Sequence, residues 1–576
     1  MRPHRLVIPL VVLLATNARA QEFSKHVVVC QEGHAADIGR DAMRSGGNAV
    51  DAAVATAFAL AVTHPAAGNL GGGGFLVAYL ADRREVVTID FREAAPAAAT
   101  ERMYLDADGK LLDKHRAGAR AAGVPGTVRG LGLAHKEYGA RPWADLVRPA
   151  AKLARDGFPV SAALARSLNA QLQVGADKAG VDEDLGSRAD RLADFPESVA
   201  SLGKPDKSPW KDGDVLRQPD LADTLDRIAQ GGPDEFYQGE TADRIAAHMK
   251  ARGGIISKAD LAAYRAIKRL PVRGTFRGHE VYGMGPPASG GILVVQMLNI
   301  LERYDLKADG PRSPRTVHRV TEAMRRGFYT RASEIADPDV VAVPVARLIS
   351  KSHADELAKS ITNRATPSAA LAAFSIADAK AESPDTTHLS TIDAKGNAVA
   401  LTYTLEDGYG AKAVVARCGF LLNNEMGDFN LIPGRTDRGG RIGTKPNSIA
   451  PGKRMLSSQS PTIVVKDGKV RLVTGSPGGR TIPNTTLWVV LNVLEFGMEP
   501  RAAVDSPRTH HQWFPDRLLL EGSTWGEAAN ALRARGHEVG SMQTQGDAHT
   551  IVVDPASGVR HGVADRRRET SRASGD

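Results

Sequence analysis

The 576-residue chain reads as an α+β protein, and two features of its patterning predict this. A helix-rich first part extends through residue 382, and a strand-rich second part begins at Thr386. The two meet at the stretch "SPDTTHLSTIDAKGNAVALTYTLEDGYG" (383–410), where two threonines open a strand pattern directly after Pro384-Asp385. Threonine is β-branched and suits a strand. A threonine freed at a new N-terminus would serve a second purpose, chemical rather than conformational.

Taken in order, Arg2, His4 and Arg5 precede the apolar run "LVIPLVVLLA", followed by small residues at Ala18 and Ala20. This pattern predicts a secretory signal peptide over residues 1–20, cut after Ala20, and a periplasmic or secreted mature chain. The run is too short to span a bilayer, and Gln21 stands where a lipid anchor needs cysteine. Residues 33–62 read as a helical region interrupted at Gly46-Gly47. "NLGGGGFLVAYL" and "REVVTIDFRE" read as strands. The four consecutive glycines permit close backbone approach but fit neither a dinucleotide fingerprint nor a P-loop. Residues 127–270 look mostly helical, "HEVYGMGPPASGGILVVQMLNIL" is a strand, turn and helix, and residues 313–382 are helical again. Beyond Thr386 the strands are "THLSTID", "NAVALTYTL", "GFLLNN", "PTIVVKDGKVRLVTG" and "AHTIVVD".

Composition is that of a globular protein, 42% hydrophobic and 24% charged, with a thinly spread net charge of +8. The one dense basic run, Arg566-Arg567-Arg568, lacks interleaved aromatics and reads as a solvated tail, which argues against nucleic-acid binding. Two cysteines, Cys30 and Cys418, could pair in an oxidising compartment but cannot build a thiolate zinc cluster. HExxH is absent, and His510-His511 read as packed structure. No metal or organic cofactor is expected.

A three-residue loop Ala394-Lys395-Gly396, glycine last, suits a type I turn closed by a left-handed residue. Centred on Lys395, the register sets Asp393 against Asn397, Ser390 against Ala400 and Thr386 against Thr404. The Thr404 hydroxyl would then lie beside Thr386. An N-terminal threonine carries its own base, since its α-amine, titrating near ~7.7, takes the hydroxyl proton. Before scission that nitrogen is an amide, so a precursor must first cut itself by attack of the Thr386 hydroxyl on the Asp385 carbonyl. No GxSxG competitor is present.

At this point the chain resembles the gamma-glutamyltransferases (glutathione hydrolases) of the N-terminal-nucleophile hydrolase superfamily. The markers are "GGNAVDAAVA", "GGGGFLV", "DFRE", "GVPGTVRG", "PPASGG", "DTTHLS", "LLNNEMGDF", "LSSQSPTIV", "GSPGG" and "PRTHHQW", in order along nearly the whole mature chain. The resemblance implies a four-layer αββα sandwich built jointly by a large subunit (21–385) and a small subunit (386–576). It implies that Thr386 is the nucleophile and that Thr404 orients it. Arg92 is similar to the anchor of the substrate α-carboxylate, with Ser457 and Ser458 as further donors to it. Asp428 resembles the holder of the α-ammonium, and Gly478 and Gly479 the oxyanion hole. Bare of these motifs, Arg92 reads as a surface ion pair with Asp90 or Glu93, and Gly478-Gly479 as a tight turn. Glu406 and Glu425 stand where many members have asparagine and glutamine; two added carboxylates near an ammonium should raise each other's pKa values. Residues 433–454 have the length of the lid-bearing loop, with Gly439 about where many members carry an aromatic, which suggests a mobile, open cover.

The implied activity is self-processing followed by attack of Thr386 on the γ-carbonyl of glutathione or a related γ-glutamyl amide, with transfer to water, amino acids or peptides. The alternatives are a same-fold acylase for glutaryl or cephalosporin-type amides, and a noncatalytic exported binding protein.

Overall fold

The computed structural model describes residues 19–175, 190–377 and 386–576. Residues 1–18 of the leader expected over 1–20, and Asp385 at the expected cut, lie outside the described residues. Two seven-stranded antiparallel sheets form the centre. The first runs, in spatial order, Arg572–Gly575, Val27–Cys30, Thr387–Ile392, Ala398–Thr404, Gly73–Leu80, Glu85–Phe91 and Ile267–Arg269. The second runs Gln21–Phe23, Arg560–Ala564, His549–Val553, Lys469–Thr474, Thr462–Lys466, His279–Gly283 and Val272–Phe276.

Side-chain alternation assigns each strand two buried faces. Val27, Val29, Phe75, Val77, Ile463, Val473 and Ile551 fill the space between the sheets. Val28, Cys30, Leu76, Leu389 and Leu401 point the other way, onto helices Gly33–Arg44 and Ala49–Thr63. Val281, Val464, Leu472 and Val563 likewise meet helices Gly290–Leu301, Pro314–Glu334 and Ile482–Leu494. The order of layers is therefore helix, sheet, sheet, helix. Helix Ala49–Thr63 is buried along all its 15 residues, which its alanines allow by letting it approach sheet and helices at once. Asn48 caps it, accepting from the Val50 and Asp51 amides.

The hairpin register is as expected: Ser390 pairs with Ala400 and Thr387 with Tyr403. Gly396 takes the left-handed conformation (φ +88°), and its amide donates to the Asp393 carbonyl at 3.1 Å. Asp393 locks the turn, its carboxylate accepting from the Lys395, Asn397 and Ala49 amides at 2.9, 3.0 and 3.1 Å.

Several expectations need correction. The basic run is solvated only in part: Arg566 and Arg568 are exposed, whereas Arg567 pairs with Glu521 and Asp565. The chain beyond it is no tail, since Arg572–Gly575 completes the first sheet against Val27–Cys30. Within the stretch expected to be helical from 313 to 382, the α-helices end at Lys359, and among the described residues only a single 3-10 turn, Ser368–Leu371, follows before Thr386. "GFLLNN" forms only isolated bridges to Gly71 and Val414. The apolar run at Ile482–Leu494 is a buried helix within the half expected to be strands, since both of its faces are covered. Cys30 and Cys418 are unpaired, buried thiols. Among the described residues no helix is long and apolar enough to cross a membrane.

His510 and His511 are packed structure. Asn484 Nδ2 donates to His510 Nδ1 at 2.8 Å, and the Trp513 amide donates to His511 Nδ1 at 3.2 Å. Burial pushes both imidazoles down to about 4. Unfolded histidine takes up a proton near 6.5, so this stability is whole above that pH and is lost as pH falls toward 4. At pH 5 the loss is about 2 kcal/mol per ring. In an NMR titration of histidine-labelled protein both rings are expected to remain neutral at pH 5.5; midpoints near 6.5 would overturn this.

Candidate active site

Thr386 stands just before strand Thr387–Ile392, on the parity that faces the gap between the sheets, and is 4% exposed. Continuing the register from the Thr387–Tyr403 pair sets it opposite Thr404. Thr404 is held from two sides: its hydroxyl accepts from the Glu406 amide at 2.8 Å and its carbonyl from Asn69 Nδ2 at 2.9 Å. The four-glycine run makes that approach possible. A Cβ on Gly72 would meet the Thr404 carbonyl at 1.9 Å, and one on Gly74 the Thr402 carbonyl at 2.3 Å.

Arg92 follows strand Glu85–Phe91 and is fully buried. Its Nη1 lies 2.7 Å from Glu425 and 3.5 Å from Glu93, its Nη2 donates to Asp428, and its Nε donates to the Met455 carbonyl at 3.3 Å. Asp90, weighed as a surface partner, instead binds Arg269 and Arg454 at 2.7 and 2.6 Å. Burial alone would lower the Arg92 pKa; Glu425, Asp428 and Glu93 hold it charged. Ligand oxygens of Glu406, Glu425 and Asp428 lie within 4.8 Å of one another, a spacing that could also hold a cation. Arg92 supplies a positive charge to that cluster. Burial, then the facing carboxylates Asp428 and Asp407, raise Glu406 well above the usual range. Burial raises Glu425 likewise, against the pull of Arg92, and Glu93 moves up to about 7. Glu406 adopts φ +83°, a left-handed backbone strained for a non-glycine residue, as it turns out of the strand.

Ser457 is positioned by the "PPASGG" turn: its amide donates to the Pro287 carbonyl at 2.9 Å, and its carbonyl accepts from the Ser289 amide and hydroxyl at 2.8 and 2.7 Å. Gly478 (φ +123°) and Gly479 (φ +51°) precede helix Ile482–Leu494. Among the described residues neither of their amides donates to another group, so both N–H groups stand at a helix N-terminus, where partial positive charge gathers.

These residues share one cavity of about 120 Å3. Thr386, Thr404, Arg92 and Glu406 line it, as do Asp428, Ser457, Ser458 and Gly479. Glu425 backs Arg92, and Gly478 leads into Gly479. The predicted residues are thus brought together from segments hundreds of positions apart. Sequence reasoning missed Asn424 and Asp407, which clamp the Glu406 turn: Asn424 Nδ2 donates to Asp407 at 2.8 Å, and the Asp407 amide donates back at 3.1 Å. It also missed Arg331, Arg441 and Arg480 on the cavity wall; Arg480, directly after Gly478-Gly479, was the legible one. The loop expected as an open cover is tied down. Thr436–Asp437 pairs in parallel with Ile376–Ala377, and Arg480 Nη1 donates to the Gly440 carbonyl at 2.6 Å. A second group with ligand spacing, His318, Glu322 and His537, is already engaged by Arg325, Arg326 and the Thr362 carbonyl.

A threonine hydroxyl beside two free amide donors, an arginine and convergent carboxylates can bind a zwitterionic head group and carry out acyl transfer. Comparison with known proteins agrees. The family model described as Gamma-glutamyltranspeptidase matches residues 35–575. A glutathione hydrolase proenzyme of Escherichia coli is 43% identical, covering 94% of this chain and 90% of that protein. The crystal structure of a cephalosporin acylase from Bacillus halodurans superposes with a TM-score of 0.82 at 25% identity, covering 99% of both chains. A chain of Helicobacter pylori gamma-glutamyltranspeptidase gives 0.54 at 41% identity, covering 58% of this chain and 92% of itself. With the family model matching residues 35–575 and a relative 43% identical over most of both chains, the chain belongs to the gamma-glutamyltranspeptidase family.

Proposed function

We propose that the protein is an exported, self-processing γ-glutamyl hydrolase and transferase, cut before Thr386 into chains 21–385 and 386–576. The carrying observation is the Thr386–Thr404 pair lining one cavity with both Arg92 and Asp428. The H. pylori chain, matched over 92% of its own length yet covering only 58% of this one, supports a two-chain product.

In the precursor the Thr386 hydroxyl attacks the Asp385 carbonyl; the C–N bond breaks to give an ester and the free Thr386 amine. Water then hydrolyses the ester, releasing the Asp385 α-carboxylate and the Thr386 hydroxyl. In turnover that amine takes the hydroxyl proton as Oγ attacks the γ-carbonyl of glutathione or a related amide. The Gly478 and Gly479 amides face the oxyanion, each worth about 3 kcal/mol. The leaving amine departs with the proton, and water or another amine takes the glutamyl group from the ester. In the free site Arg92 and Asp428 neutralise each other. A bound α-carboxylate would take Arg92 with Ser457 and Ser458, and the α-ammonium would take Asp428 and Glu406. One buried ion pair is thereby exchanged for two, Arg92 with the α-carboxylate and Asp428 with the α-ammonium.

The acylase reading has the B. halodurans likeness in its favour. A glutaryl ligand lacks the ammonium, however, and would leave Asp428 without a cationic partner once the ligand's own carboxylate takes Arg92. Faster turnover of a γ-glutamyl than a glutaryl anilide is expected; the reverse order favours the acylase.

Thr386→Ala is expected to give a single uncut chain with activity lowered at least ~10⁴-fold, and the wild type a second N-terminus at Thr386. An active preparation sequencing only from Gln21 would overturn the mechanism. Burial and the facing carboxylates Asp428 and Asp407 raise Glu406 well above the usual carboxylate range, and its ionised form is the better partner for the ammonium. Binding therefore strengthens as pH rises, and KM for a γ-glutamyl anilide is expected to rise several-fold from pH 8 to 5.5. A flat KM would remove Glu406 from the ammonium site.

A further inference from the structure

Six arginines are buried among the described residues, and five have carboxylate partners. Arg92 meets Glu425 and Asp428, Arg325 and Arg326 meet Glu322, Arg454 meets Asp90, and Arg508 meets Asp565. The sixth is Arg331, in the last turn of helix Pro314–Glu334 and only 8% exposed. Among the described residues it makes no hydrogen bond and no ion pair, and its buried Nε has no acceptor. Burial and the neighbouring Arg480 push its pKa down to about 10, which leaves it cationic at neutral pH. A buried, unpaired guanidinium is strongly unfavourable unless an anion arrives from outside the chain. The helix C-terminal dipole supplies only about half a charge, and no carbonyl accepts from this side chain.

Its location says which anion. Arg331 lines both the cavity of Thr386 and an adjoining chamber of about 70 Å3. Arg480 and Arg441 share that boundary, and the chamber walls beyond include Phe429, Leu431 and Ile442. On the γ-glutamyl reading, Arg92 and the serine pair serve the donor's α-carboxylate. The Gly478 and Gly479 amides serve its γ-carbonyl. The anion left over belongs to the amine on the far side of the scissile bond. Resting on that reading, we infer that Arg331 binds the carboxylate of the leaving or accepting amine, making it a specificity determinant that directs the enzyme to γ-glutamyl amides of amino acids and peptides. The apolar chamber beside it would take that residue's side chain.

The test compares γ-glutamylglycine with γ-glutamylglycinamide, which differ only in that carboxylate. Glycinamide is the less basic amine and the better leaving group, so bond-breaking alone favours the amide. The wild type is nonetheless expected to prefer the acid by about tenfold or more in kcat/KM, chiefly through KM, as loss of a charge-assisted contact gives. Arg331→Gln should bring the ratio close to one, and Arg331→Lys should keep part of it. A wild-type ratio at or below one, or an unchanged ratio in Arg331→Gln, overturns the inference. Should Arg331→Gln fail to mature, the wild-type ratio and Arg331→Lys still decide. If the wild type cleaves neither compound but does cleave a glutaryl anilide, the γ-glutamyl reading has failed and the inference falls with it; cleavage of both without preference removes the inference alone.

Discussion

The register of one hairpin underlies the whole site. Strands Thr387–Ile392 and Ala398–Thr404 put Thr386 beside Thr404, on the face turned toward the opposing sheet. A slip of one residue would send both hydroxyls to the helix-covered face, since side chains alternate strictly along a strand. That slip is opposed at the turn, where Asp393 gathers three amides, one of them from the first residue of helix Ala49–Thr63. It is opposed again at the far end, where Asn69 and the glycine run grip the Thr404 carbonyl. Local turn chemistry and a distant helix start thus fix the same geometry.

Charge is the second organising element. A fully buried guanidinium is tolerated because three carboxylates surround it, and burial raises two of them, Glu93 and Glu425, above the usual carboxylate range. Such a cluster is poised to exchange internal partners for those of a zwitterion. The left-handed backbone at Glu406 fits this picture, strain being kept where a side chain must be aimed.

What could be read from the residues was local. The hairpin is adjacent in sequence, its period is two, and its turn residues have single good solutions, so its register could be counted. The division into a helical half and a stranded half was only partly right, because both sheets take strands from each side of residue 385. The C-terminal strand was invisible for the same reason: its partner, Val27–Cys30, lies more than 500 positions away. Arg92, Asp428 and the glycine pair entered through family likeness; alone, each has a commonplace explanation. Arg331 could not be found at all. It sits on helix Pro314–Glu334 with Arg325 and Arg326, and only the folded chain separates the two that are neutralised from the one that is not.

The strand order carries a further consequence. In the first sheet Arg572–Gly575, Val27–Cys30, Thr387–Ile392 and Ala398–Thr404, then Gly73–Leu80 succeed one another, so pieces on either side of a break at residue 385 interdigitate like shuffled cards. Neither piece alone could satisfy its strand edges, and each would present long unpaired ladders prone to aggregation. On the proposed scission, folding must therefore be finished before the backbone is opened. Separately synthesised halves would have no stable form in which to wait for each other.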